Sequence, residues 1–152
     1  SRRKKNLIMT TKNFTLTLQT TQSPQKVFKA IQDVRSWWSG YYSEKITGNT
    51  EDLNDEFSFE AGDGLHSTKH KLVEVIPDKK VVWLTTYCNL DFIEHKDEWT
   101  GTKIIFEIST NGNSTELKFT HEGLTPTVEC YDACAPAWTQ YLENKLKPLI
   151  EA

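Results

Sequence analysis

The sequence predicts an α+β fold: a curved antiparallel sheet of six to seven strands wrapped round one long C-terminal helix, with two short helices after the first strand. Three observations carry this reading. From Glu44 to His121, short β-type runs follow one another across tight turns, as in a meander. After Gly123, the residues Tyr131, Ala135, Trp138, Leu142, Leu146 and Leu149 recur at steps of three and four, making one apolar helical stripe. The remaining helical signal is confined to a short stretch directly behind the first strand. A sheet of that size twists and curls, and the terminal helix is the element long enough to cover its concave face.

The elements follow in order. Residues 13–20 alternate apolar and polar (Phe14, Leu16, Leu18 against Thr15, Thr17, Gln19), as a half-buried strand does. Ser23-Pro24 is an N-cap followed by proline at the first helical position, where a missing N–H costs nothing. Val27, Phe28 and Ile31 give that helix its apolar side, through about Asp33. Residues 35–40 form a second short helix or turn. Adjacent Trp37 and Trp38 are expected to diverge, one inward and one at an edge. Weak strand signals cover 44–47 and 56–60, and stronger ones 66–76 and 79–87, which turn at Pro77-Asp78. Residues 89–100 are polar and acidic, a loop that doubles as a cavity lid. Strands at 103–109 and 115–121 flank the Asn111-Gly112-Asn113 turn, where positive φ is tolerated. Thr125-Pro126 repeats the cap-and-proline start, so the closing helix is expected from residue 126. Pro136 removes the hydrogen bond to Asp132 and predicts a kink or break there.

The chain has 152 residues, enough for one domain that buries about two-thirds of its unfolded surface. Its formal charge is -3, from 18 basic and 21 acidic residues. Four of the 18 are Arg2, Arg3, Lys4 and Lys5, so 14 basic residues face 21 acidic ones in the body. That balance argues against a nucleic-acid surface, which needs clustered cations on the fold itself. Residues 1–12 read as a disordered or non-native tail, with Met9 a candidate initiator, and residues 13–152 as the single domain. No apolar run approaches the ~20 residues that span a bilayer, so no membrane insertion is expected. Cys88, Cys130 and Cys134 make no disulfide framework, which places the chain in a reducing cytoplasm.

The element order, with particular words in the chain, resembles the helix-grip fold of the START-like (SRPBCC) superfamily. Within it the chain resembles the bacterial group named after the activator homologue of the ninety-kilodalton heat-shock protein ATPase. The words are Val34-Arg35-Ser36-Trp37-Trp38, Pro77-Asp78-Lys79-Lys80-Val81-Val82-Trp83, Glu98-Trp99-Thr100-Gly101-Thr102 and Phe119-Thr120-His121-Glu122-Gly123-Leu124. Glu129-Cys130-Tyr131-Asp132-Ala133-Cys134, with Ala137-Trp138, completes them. The resemblance implies a deep cavity between sheet and helix that takes a hydrophobic small molecule. It also implies a possible heat-shock chaperone partner, although co-chaperone activity in that group belongs to larger eukaryotic proteins carrying a further domain. One scaffold in this superfamily serves carriers, receptors, cyclases and activators, so fold alone assigns no activity.

The cavity candidates are Trp38, Phe59, His70, Trp83, Tyr87, Phe106, Phe119, His121, Trp138 and Tyr141. His121 shares the inward phase of its strand with Leu117 and Phe119, and serves either as a ligand-orienting or acid/base group or as a structural histidine. His66 and His70 lie on one strand face but roughly 13 Å apart, too far for one metal ion. Cys130 and Cys134 share a helix face and read as packed thiols. Asp91, Glu94, His95, Asp97 and Glu98 fit no calcium loop and read as a solvated surface. No metal, cofactor or catalytic residue is assigned, and the balance lies against an enzyme. Binding of a small hydrophobic molecule is the first expectation. The alternatives are a chaperone-interacting protein that stimulates a heat-shock ATPase, and a cyclase- or hydrolase-like enzyme using His121.

Overall fold

A computed structural model describes residues 12–152, so the expectation for the basic tail lies outside the described residues. Seven strands form one antiparallel sheet: β1 (Phe14–Thr20), β2 (Lys45–Gly48), β3 (Glu56–Ala61), β4 (His66–Ile76), β5 (Lys80–Leu90), β6 (Lys103–Asn111) and β7 (Ser114–Glu122). Their spatial order is β1-β7-β6-β5-β4-β3-β2. The last six strands thus meander in sequence, and β1 closes beside the last of them, with Phe14 opposite His121 and Thr20 opposite Thr115. Register shifts in β4 at Lys69/His70 and Leu72/Glu74 bend the longest hairpin. Such bulges raise local twist, which helps curl the sheet round its helix.

Helix α1 (Pro24–Gln32) begins as its sequence dictates: the Ser23 hydroxyl accepts from the Lys26 N–H at 3.1 Å, and Val27, Phe28, Ala30 and Ile31 are buried. Helix α2 (Val34–Trp37) is one turn. Trp37 and Trp38 do not diverge. Both are buried, 0 and 2 % exposed, with near-parallel rings 6.3 Å apart. The helix ends at Trp37, and Trp38 leaves helical ψ, which lets both rings enter the same core.

The closing helix departs from expectation in two places. Helix α3 (Tyr131–Tyr141) starts five residues later than Thr125-Pro126 predicts. The Thr125 hydroxyl bonds that of Thr127 instead of capping. The backbone N–H groups of Glu129 and Cys130 are met by the distant Glu98 carboxylate, at 2.7 and 2.8 Å, so the cap is supplied across space. Pro136 stays within α3. The irregularity comes later, as a π-helical turn at Leu142–Leu146 before helix α4 (Lys147–Glu151). Pro148 gives the physical reason, because its ring would collide with the Asn144 carbonyl in a regular helix. The inserted residue rotates the stripe, so Ile150 is buried and Leu149 only partly.

Candidate functional site

Under the helix lies a continuous aromatic stack. Trp38 packs on Phe59 with ring centres 3.7 Å apart, on Trp83 at 5.8 Å and on Trp138 at 5.0 Å. Trp138 in turn stacks on Trp99 at 5.9 Å. The stack fills most of the space between sheet and helix, and at one end it stops short. There a cavity of about 240 Å³ opens between the β3–β4 turn, the β5–β6 loop and α3. Its wall consists of Trp38, Phe59, Ala61, Gly62, His66, Trp99, Ala133, Cys134, Ala137, Trp138 and Tyr141, with Tyr42, Leu65 and Phe92 at the rim. Those three rim residues are 49, 52 and 44 % exposed, which marks the side open to solvent. Among the described residues, no charged side chain lines the space.

Of the expected cavity residues, Trp38, Phe59, Trp138 and Tyr141 line it. His70, Trp83, Phe106, Phe119 and His121 are buried in the packing behind it. Tyr87 is a correction. It is 46 % exposed on the outer face of the sheet, its ring 5.7 Å from the Lys69 ammonium, because its neighbours Thr85 and Cys88 take the inward positions. Sequence reasoning passed over Trp99, which sits in a loop otherwise polar and acidic. His66, expected either to line a ligand site or to stand at the surface, lines the cavity on the strand phase of buried Thr68 and His70.

His121 is held at both nitrogens. The Trp138 indole N–H donates to Nδ1 at 3.0 Å, so Nε2 carries the hydrogen and donates to the Thr102 hydroxyl at 2.9 Å. That hydroxyl donates onward to the Trp99 carbonyl at 2.6 Å. Burial, and then the charge of His66, push the His121 imidazole down to about 3. His70 has Thr68 and Thr85 hydroxyls at 2.8 and 3.1 Å, and burial followed by its two histidine neighbours lowers it well below the ordinary value. Burial lowers His66 to about 4. The Tyr141 hydroxyl donates to Glu44 at 2.6 Å. Burial and that carboxylate raise the phenol. Burial pushes the Glu44 carboxyl up, but the hydrogen bond from Tyr141 and backbone N–H groups outweigh it and leave the carboxyl below its usual range.

The lid is fastened by two glutamates that exchange roles. Glu98 caps the Glu129–Cys130 backbone, while the Glu129 carboxylate accepts from the N–H groups of Glu94 and His95 at 2.9 and 3.0 Å and from His95 Nδ1. Those bonds hold the Glu129 carboxyl below its usual range. His95, Glu98 and Glu129 come within 4.8 Å of one another. All four carboxylate oxygens already accept N–H bonds, so the trio works as a clamp. Cys130 and Cys134 are also a correction: their sulfurs are paired as a disulfide, with Cα atoms 5.6 Å apart. The Cys134 N–H donates to the Cys130 carbonyl at 2.8 Å, so the pair spans the first turn at the helix start. Cys88 is a buried free thiol, raised by burial to about 11 and bonded to the Lys96 carbonyl.

Solved structures share this architecture. A solution structure titled as the Aha1 dimer of Colwellia psychrerythraea superposes with a TM-score of 0.67 at 23% identity, covering 88% of this chain and 92% of that one. A Chromobacterium violaceum protein gives 0.65 at 16% identity, covering 91% and 98%. A Plasmodium falciparum protein titled as an HSP90 activator gives 0.57 at 20% identity, covering 87% and 91%. At such identities the likeness speaks for the fold alone. No curated protein matches the sequence. The family model described as "Activator of Hsp90 ATPase homolog 1-like protein" matches residues 21–151, and the chain belongs to that family.

Proposed function

We propose that the protein binds a small hydrophobic molecule in the cavity beside α3. One observation carries the reading: the aromatic core leaves a space walled by apolar side chains, without a charged group among the described residues and open at an apolar rim. Burying apolar surface there contributes about 25 cal/mol per Å². At about 240 Å³ the cavity is smaller than the ~300–1,000 Å³ of drug-sized sites, so the ligand is compact. Native mass spectrometry of gently purified protein tests this. The reading expects a co-purified small molecule that an Ala137→Trp variant, with the cavity filled, does not carry. Equal retention by a folded Ala137→Trp variant would count against this cavity as the site.

Stimulation of a heat-shock ATPase is the second reading, supported by the family and by the printed description of the Plasmodium falciparum neighbour. It expects micromolar protein to raise that ATPase's rate; no change would remove it. His121 as a catalytic base finds no support, since both its nitrogens are engaged and buried. A cytoplasmic setting is a separate proposal.

A further inference from the structure

One wall of the cavity carries a disulfide. Cys134 lines the space and keeps 5 % of its surface exposed, while Cys130, its partner, keeps none. Cys130 is also fixed on both sides of its backbone. Its N–H donates to the Glu98 carboxylate at 2.8 Å, and its carbonyl accepts from the Ala133 and Cys134 N–H groups at 2.9 and 2.8 Å. The pair therefore stands between the clamp that fastens the lid and the space under it. The α3 neighbours of Cys134 on that wall, Ala133 and Ala137, are small, which leaves room on the cavity side.

We propose that the Cys130–Cys134 disulfide is a redox site in the cavity wall, opened by a small dithiol that enters through the mouth and attacks Cys134, and that its reduction narrows the cavity. This inference rests on the small-molecule reading above and adds a control on that site. The dithiol's thiolate attacks Cys134 Sγ, forming a mixed disulfide and expelling the Cys130 thiolate, which takes up a proton. The dithiol's second sulfur, as thiolate, then closes the reagent's own disulfide and releases Cys134, which is protonated in turn. The protein gains two electrons and two protons, and the dithiol loses them. Bonded sulfurs lie ~2.05 Å apart, whereas unbonded heavy atoms pack at ~3.5–4.0 Å, so reduction parts the pair by about 1.5 Å. With Cys130 enclosed and hydrogen-bonded on both sides, the displacement falls to Cys134, and its free side is the cavity.

Toluene, a compact uncharged hydrocarbon, is the probe, titrated into ¹⁵N-labelled protein with and without dithiothreitol and followed by the indole N–H resonances. Alkylation after denaturation counts the thiols: one in the oxidised chain, from Cys88, and three in the reduced one. Dithiothreitol is expected to take the folded protein from one thiol to three. Toluene is then expected to bind at least about fourfold more weakly, the loss of roughly one methylene of burial. Cys130→Ala and Cys134→Ala each remove this dependence on dithiothreitol, and Cys88→Ala keeps it. Equal affinity in the two redox states, or a difference that survives in Cys134→Ala, overturns the control while the cavity reading stands. A disulfide reduced only in unfolded protein, or a chain still showing three thiols with oxidised glutathione, overturns the redox site. If toluene binds neither state, the small-molecule reading falls, and the thiol count alone decides the redox site.

Discussion

His121 stands at the end of β7, and its partners come from two other places: Trp138 on α3 and Thr102 just before β6. That arrangement makes it a rivet between sheet, lid and helix. His121→Ala would leave the Trp138 N–H unpaired and a void beside it, a loss on the order of 2–4 kcal/mol in urea unfolding. Gly123 serves the same contact. Its φ is +103°, and an added Cβ would lie 2.6 Å from Thr102 Cγ2. Gly123→Ala is therefore expected to destabilise by more than about 1 kcal/mol, again read from the urea midpoint. The inward phase of His121 was legible from the alternation Leu117, Phe119, His121. Its partners were not, because pairing across 17 and 19 residues depends on how elements dock and leaves no periodic trace.

Among the elements, the β5–β6 loop and the approach to α3 hold one another by reciprocal glutamate caps. Glu98→Ala removes two accepted hydrogen bonds at the helix start and frees the end of the loop that carries Trp99. Amide exchange in residues 92–100 should quicken at least tenfold, while global stability falls by only about 1 kcal/mol, as for loss of a cap. Unchanged exchange in that loop would mean that packing of Phe92 and Trp99 fastens it instead. Strand positions were readable because alternation and turn residues are local signals; β4 was placed at its observed bounds. The start of α3 was misread because a local cap signal at Thr125-Pro126 competes with a cap delivered from residue 98. The π-helical turn has no local signature beyond Pro148, whereas Pro136, the more central proline, is accommodated within α3.

At the scale of the molecule, buried His70 and His121 and half-buried His66 shape the response to acid. Each is held below its ordinary value of 6.5, His66 to about 4 and His121 to about 3, with His70 shifted the same way. The unfolded chain therefore takes up protons that the folded one refuses. Stability is greatest above pH 6.5 and is lost as pH falls through the window below it, towards pH 4 for His66 and pH 3 for His121. The urea midpoint is therefore expected to fall steadily from pH 7 towards pH 4. A urea midpoint unchanged between pH 7 and pH 5 would contradict this. The family words and the meander made the grip fold legible, but the cavity depends on where five tryptophans run out of space, and composition does not encode that. The most direct check is a crystal structure under xenon pressure, since a small apolar cavity takes up xenon. The account predicts xenon between Trp38, Phe59 and Ala137; that space filled by side chains, with no xenon bound, would contradict it.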